Sequence, residues 1–223
     1  MVTLLYSDIL IIQILGVTAL RKLLSFEKDP PIQKTVDRNL IPRLFQLAKA
    51  IDSPKLQFEA IWCLTNIASS DSQFVLKLIE NQAIPILISI MDSPTHLEVK
   101  EQTIWCLGNI SGDNTRFRDA LLDTGVLEKI CELVDVAGAS TSFVRNAIWT
   151  LSNLCKGKPS ASFERIQRVI PTFARVLNTT ENVDILNDIS WCLSYITDEG
   201  GDDRIVVFLQ CNMVPRLCQL LRH

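Results

Sequence analysis

Histidine is nearly missing from this 223-residue chain, which has two, His96 and His223. No Ser-His-Asp set, phosphate-binding glycine loop or metal-ligand cluster accompanies them. The chain therefore offers neither a general base nor a metal, which argues against an enzyme and against a cofactor. A dominant charge is missing too. Lys and Arg number 22 against 25 Asp and Glu, a net charge of -3 that gives no electrostatic reason to bind nucleic acid. The seven cysteines include no CxxC pair and are odd in number. Three of them, Cys63, Cys106 and Cys192, directly follow a Trp. That pattern suits reduced, buried thiols of a cytosolic or nuclear protein better than a disulfide framework. A membrane-length apolar run is also lacking. The strongest run, residues 9–20 (ILIIQILGVTAL), is shorter than the ~20 residues a span needs. The residues before it carry no basic charge of the kind a signal peptide has. No membrane association is expected, and the run reads as a buried helix. With 48% hydrophobic residues and only 8 Gly and 9 Pro, the chain reads as folded throughout.

What the sequence does have is a period. Trp occurs four times, at Trp62, Trp105, Trp149 and Trp191, with gaps of 43, 44 and 42 residues. A second marker keeps step with it: Ile41-Pro42, Ile84-Pro85, Ile170-Pro171 and Val214-Pro215, with Leu127-Glu128 filling the remaining slot. Periods of ~40–47 residues belong to HEAT and armadillo arrays and overlap those of WD40 propellers. A propeller blade needs short β-branched strands and Gly-rich turns. Here apolar residues such as Val99, Ile104, Leu107 and Ile110 recur at helical steps instead. Ser53-Pro54 and Ser93-Pro94 each read as an N-cap followed by Pro at the first helical position, and the segment at Gln82 reads as the entry to a second helix. The expected architecture is all-α, a right-handed armadillo-repeat superhelical solenoid with two long helices and one short one per repeat. Approximate repeats are 1–27 (partial), 28–70, 71–112, 113–158, 159–199 and 200–223 (partial). Helices near Pro42, Pro85, Pro171 and Pro215 should form one layer and the Trp-bearing helices the other. The partial first and last repeats suggest an array that continues or is covered at its ends.

The Trp-bearing segments align as residues 59–66 (EAIWCLTN), 102–109 (QTIWCLGN), 146–153 (NAIWTLSN) and 188–195 (DISWCLSY). Positions three before and four after each Trp share its helix face. That face is expected to show polar–Trp–Asn three times (Glu59, Trp62, Asn66; Gln102, Trp105, Asn109; Asn146, Trp149, Asn153). The fourth time it shows Asp188, Trp191 and Tyr195. A single Trp at helical spacing is usually core, but core Trp does not call for Asn four residues later, repeatedly, at a cost in helix propensity. Asn can bond both the N–H and the C=O of an extended peptide. Trp faces can hold a Lys or Arg stem through apolar and cation–π contact. Acidic residues at the rim would select positive charge, with Asp71, Asp113, Asp188 and the acidic stretch at residues 198–203 as candidates. That stretch also fits a solvated turn, and it does not match an EF-hand.

Residues 21–25 (RKLLS), 27–31 (EKDPP), 57–69 (QFEAIWCLTNIAS), 105–113 (WCLGNISGD), 117–119 (FRD), 149–155 (WTLSNLC) and 191–198 (WCLSYITD) resemble the importin-α (karyopherin-α) family of armadillo nuclear import adaptors. The resemblance covers nearly the whole chain, and the Trp–Tyr pair of the fifth repeat fixes the register. It implies binding of lysine-rich nuclear localisation signals of cargo proteins across repeats two to four. Trp62, Trp105 and Trp149 would line slots, Asn66, Asn109 and Asn153 would clamp the peptide backbone, and Asp113 would take the key lysine. Ser69, Gln102, Asn146 and Asp188 match further contact positions. Trp191 and Tyr195 lie toward the other end of the groove and could border a minor site. Residence in cytoplasm and nucleus is implied as well.

The departures are specific. Arg21 and Ser25 hold the Trp and Asn slots of the first repeat, as in the family. Phe26 stands where the family pattern has Arg, Val75 where it has Thr, and Lys156 replaces Arg. The family's basic N-terminal segment, which binds importin-β and folds back into the groove, has no counterpart here, nor do repeats seven to ten. The expectation is cargo binding without a complete import cycle. The competing reading is another armadillo scaffold, catenin-like or vacuolar-adaptor-like, binding an extended peptide through the same Asn ladder. Those scaffolds usually lack the Trp array.

Overall fold

Proline sets the helix boundaries. Residue 53 precedes Pro54 and is pushed out of the helical region, with ψ at 83°, because the proline ring clashes with a helical neighbour on its N-terminal side. A helix therefore cannot run through residue 53, and a new one starts at Pro54, which needs no N–H there. The computed structural model describes residues 2–198 and 201–222, and the described residues contain helices and turns but no strand. They form two compact units, residues 1–113 and 114–223.

The first unit holds α1 (Val2–Leu5), α2 (Leu10–Leu24), α3 (Ile32–Asp37), α4 (Ile41–Ala48), α5 (Pro54–Ala68), α6 (Ser72–Glu80), α7 (Ala83–Asp92) and α8 (Leu97–Asp113). Helix α2 packs on α5 and α5 on α8, one layer, while α4 and α7 pack against α5 and α8 from the other side. The core between them is aliphatic: Val17, Leu44, Ile61, Leu64, Ile67, Leu87 and Ile104 are 0% exposed. At ~1.5–3 kcal/mol for each fully buried aliphatic side chain, this stack is held mainly by the hydrophobic effect.

The second unit repeats the scheme with α9 (Thr115–Leu122), α10 (Val126–Val134), α11 (Thr141–Cys155), α12 (Phe163–Ile166), α13 (Val169–Thr179), α14 (Val183–Asp198), α15 (Asp202–Gln210) and α16 (Val214–Leu220). Helix α11 packs on α14 and α10 on α13. Side chains cap three of these helices among the described residues, Asn182 accepting from the Ile185 N–H at 3.1 Å at the start of α14. Asn114 accepts from the Phe117 N–H and Ser140 from the Phe143 N–H, each at 3.0 Å, satisfying donors a helix start leaves open. The turn before the middle helix of a repeat recurs as one left-handed residue: Asn39, Gln82, Gly125 and Asn212, with φ between 52° and 71°. Gly and Asn tolerate that conformation, while Gln82 carries strain on the order of 1 kcal/mol.

Two expectations need correction. Only one helix per repeat is long. The Trp-bearing helices run 15–17 residues, while the preceding α4, α7, α10 and α13 run 8–11. Ser93 does not cap α8. It ends α7, with extended ψ of 156° before Pro94, and its hydroxyl donates to the Ile90 carbonyl at 2.6 Å. Among the described residues no single helix is long and apolar enough to cross a membrane. Residues 10–20 lie in α2, with Val17 and Leu20 buried but Leu10, Ile11 and Leu15 exposed. All seven cysteines are free. Cys63, Cys106, Cys155 and Cys192 are buried as expected, whereas Cys131 and Cys211 are half-buried and Cys218 is exposed.

Candidate functional site

In the first unit, α5 and α8 present their Trp residues outward from helices that are otherwise core. Trp62 is half-buried and Trp105 is 37% exposed, while Ile61, Cys63, Leu64, Ile104 and Cys106 beside them are 0% exposed. The edge of Phe58 meets the Trp62 ring at 5.5 Å and 79°, which fixes the indole.

Each Asn four residues on is tied sideways to the preceding long helix. Asn66 Nδ2 donates to Ser25 Oγ at 2.9 Å, and Asn109 Nδ2 donates to the Thr65 carbonyl at 3.2 Å. A carboxamide has two donors and one acceptor that takes two bonds. One donor used for the lateral tie leaves an acceptor and a donor with which to meet a peptide backbone, now with the side chain oriented. Ser69 is exposed and donates to the Asn66 carbonyl at 3.1 Å. Asp113 closes α8, where a carboxylate faces the negative end of the helix dipole. It is half-buried and accepts from the Ser72 hydroxyl at 2.6 Å.

The polar residues three before each Trp behave differently from expectation in this unit. Gln102 is 4% exposed and donates to Thr65 Oγ1 at 2.8 Å. Glu59 is 0% exposed and pairs with Arg21 and Lys55 at 2.8 and 2.7 Å. Burial alone would raise the Glu59 pKa, but hydrogen bonds and charge from Arg21 and Lys55 hold it below the usual carboxylate value. These residues bind neighbouring helices together, while Trp62, Asn66 and Asn109 are half-buried and Trp105 is exposed. The lateral partners that spacing along one helix misses are Thr65 and Ser72; Arg21 and Ser25, which hold the Trp and Asn slots of the first repeat, are partners too. The signal that finds them is a polar residue about one repeat away from a ladder residue.

In the second unit, α11 carries Asn146, Trp149 and Asn153, all half-buried, and α14 carries Asp188, Trp191 and Tyr195. Trp191 is 55% exposed and stacks on Tyr195 at 6.0 Å and 23°, so the last rung offers an aromatic pair in place of an amide. Burial and then the Asp184 charge raise the Asp188 pKa, partly offset by Arg145. Arg145 pairs with Asp184 at 3.0 Å. Burial likewise raises the Tyr195 pKa, keeping the phenol neutral. Arg118, 1% exposed, donates to the Lys156 and Pro159 carbonyls at 2.8 and 2.9 Å, fixing the turn after α11. Of the rim acids, Asp71 is exposed at the start of α6, and Asp198 is exposed and pairs with Lys158 at 3.4 Å. Glu199 and the side chains of Asp202 and Asp203 lie outside the described residues. No group of His, Cys, Asp and Glu among the described residues is arranged to hold a metal ion.

Against known proteins, residues 28–69 and 114–156 match the armadillo/beta-catenin-like repeat, and residues 54–110 a HEAT-like repeat. Importin subunit alpha-2 of Arabidopsis thaliana is 40% identical over 98% of the chain, and importin subunit alpha-1 of Schizosaccharomyces pombe is 46% identical over 98%. The chain spans 40% of the length of each. Among solved structures, a designed armadillo repeat protein in complex with the peptide (KR)4 superimposes with a TM-score of 0.84 at 23% identity, covering 100% of this chain and 90% of that one. A second, computationally designed for modular peptide recognition, gives 0.85 at 21%, covering 100% and 91%. These likenesses carry the fold, the armadillo-repeat solenoid expected from the 43-residue period. Matched along nearly its whole length at about 40% identity, the chain is an armadillo-repeat homologue of the importin α subunits.

Proposed function

We propose that the chain is the signal-binding part of a nuclear import adaptor, holding a lysine-rich nuclear localisation signal of a cargo protein along its Trp and Asn residues. One observation carries the reading. Trp62 and Trp105 stand out of helix faces whose neighbouring residues are fully buried, each with an Asn four residues on that is braced by the adjacent helix. In this reading Trp62, Trp105 and Trp149 hold lysine stems, while Asn66, Asn109 and Asn153 bond the peptide main chain. Asp113, set by Ser72, takes the ammonium of the key lysine. Ser69, Asn146 and Asp188 add polar contacts, and Gln102 acts from the core by positioning Thr65, whose carbonyl braces Asn109. Trp191 and Tyr195 offer an aromatic surface on α14, the helix that packs on α11.

The designed protein of the same fold in complex with (KR)4 supports a basic peptide as the ligand, and the importin names of the relatives support the import role. In this role the protein resides in cytoplasm and nucleus and performs no enzymatic step. The Trp array favours this reading over a catenin-like scaffold.

The test is fluorescence anisotropy with a labelled lysine-rich signal peptide and a version whose key lysine is replaced by Thr. The lysine peptide should bind at least ~10-fold more tightly, as loss of a charged hydrogen bond implies, and should weaken as salt rises. Equal affinity for both peptides would contradict signal recognition and leave the fold untouched.

A further inference from the structure

Trp62 already has a cation over its ring. The Arg21 guanidinium carbon lies 4.4 Å from the ring centroid, inside the ~6 Å reach of a cation–π contact. The same guanidinium is held from the side by Glu59, with Nε to Oε2 at 2.8 Å and Nη2 to Oε1 at 3.3 Å. Glu59 and Trp62 stand three residues apart on α5 and so share one side of that helix. A buried carboxylate beside an aromatic face is what a basic side chain needs in order to bind. The group occupying it belongs to α2, from the position where later repeats carry Trp. Lys55 completes the pairing of Glu59 at 2.7 Å, and Arg21 itself is only 18% exposed.

We propose that Glu59 and the Trp62 ring form a subsite for a guanidinium or alkylammonium group, and that Arg21 fills it permanently as an internal ligand. An incoming peptide cannot trade places with it cheaply. Displacing Arg21 would strip the buried Glu59 of a bidentate partner, and the newcomer would also lose its hydration. Arg21 is therefore an end stop. It fixes where the run of basic subsites begins, and it makes the first rung indifferent to a lysine that the next rungs would select. The peptide part of this inference rests on the basic-peptide reading above; the occupancy of the subsite by Arg21 does not.

The two can be tested separately. Ethylguanidinium, a free copy of the Arg21 head group, is titrated into the chain while the Trp62 indole N–H resonance is followed by NMR. The Arg21→Ala chain should show a saturable shift, the wild type none, and Arg21→Ala combined with Glu59→Gln none. Arg21→Gln keeps one hydrogen bond to Glu59 and so protects the fold; it should bind the probe more weakly than Arg21→Ala but more strongly than the wild type. Saturable binding to the wild type, or no difference between it and both Arg21 variants, would overturn the proposal.

In the peptide arm, a lysine-rich core is extended at either end with Lys or with Ala. At one end the preference for Lys should be about 3- to 10-fold larger in Arg21→Ala than in the wild type, the size expected of one cation–π contact. An unchanged preference at both ends contradicts the end stop. If the core peptide binds neither chain while ethylguanidinium still binds Arg21→Ala, the basic-peptide reading fails and the filled subsite stands. Normal core binding with no probe binding is the reverse.

Discussion

Asn66 donates its side-chain amide to the hydroxyl of Ser25, 41 residues earlier, at 2.9 Å. Ser25 in turn donates to the Arg21 carbonyl at 2.8 Å, so the first amide of the ladder is anchored to the end of α2. The bond is exposed and contributes little to stability, but it aims the remaining donor and acceptor of Asn66. Asn66→Ala should therefore lower affinity for a lysine-rich peptide by ~10-fold through lost backbone bonds, while shifting unfolding free energy by less than ~1 kcal/mol. Ser25→Ala should weaken binding by a smaller factor. Anisotropy and urea titration on the same samples separate the two effects.

Glu59 couples stability to pH. Its folded-state pKa lies below the ordinary glutamate value of 4.5, because Arg21 and Lys55 favour the charged form more than burial disfavours it. Its contribution is therefore present above that value and lost as pH falls through the lower folded pKa. Glu59→Gln should cost about 3 kcal/mol at neutral pH, the scale for breaking a buried ion pair. The gap between wild type and variant should narrow as pH drops below 4.5. Thermal melts from neutral to acidic pH check both the size and the direction.

The thiols should react in order of exposure. Burial pushes the Cys106 thiol up to about 12 and that of Cys131 up to about 11, and raises Cys63 and Cys192 well above the ordinary value. The thiolate is the reactive species. A thiol reagent at mildly alkaline pH should label exposed Cys218 first and reach Cys63, Cys106, Cys155 and Cys192 only as the chain unfolds. Mass spectrometry over time gives the sequence of modification.

Arg118 holds the turn after α11 rather than any ligand. Replacing it with Ala leaves the carbonyls of Lys156 and Pro159 without their buried donors, at a cost of roughly 3 kcal/mol. Amide exchange should speed up first near residues 156–160 in the second unit. Unchanged exchange there would show that the turn is held by something else.

Much of this was legible in the sequence. The four Trp residues and the Ile-Pro marker share a period, and the Trp–Asn spacing on a helix put both on one partly exposed stripe of α5 and α8. Pro54 marked its helix start because its chemistry is local. What sequence spacing missed is lateral. Asn66 reaches Ser25, Asn109 reaches Thr65, and Ser72 reaches Asp113 across 41, 44 and 41 residues, which helical periodicity along a single helix does not register. The same blindness put Glu59 and Gln102 on the exposed face. Each stands at the edge of the stripe, and the neighbouring helix covers it. Ser93 misled because Ser-Pro also ends a helix well, the residue before Pro being driven to an extended conformation.

In the proposed groove Asp113, set by Ser72, selects a lysine of the bound peptide. A double-mutant cycle tests it most directly, pairing Asp113→Ala in the protein with Ala for the key lysine in the peptide and measuring all four affinities by anisotropy. A coupling of about 1.5–3 kcal/mol is expected, as for a hydrogen bond between charged groups. Additive losses, with coupling below ~0.5 kcal/mol, would contradict it.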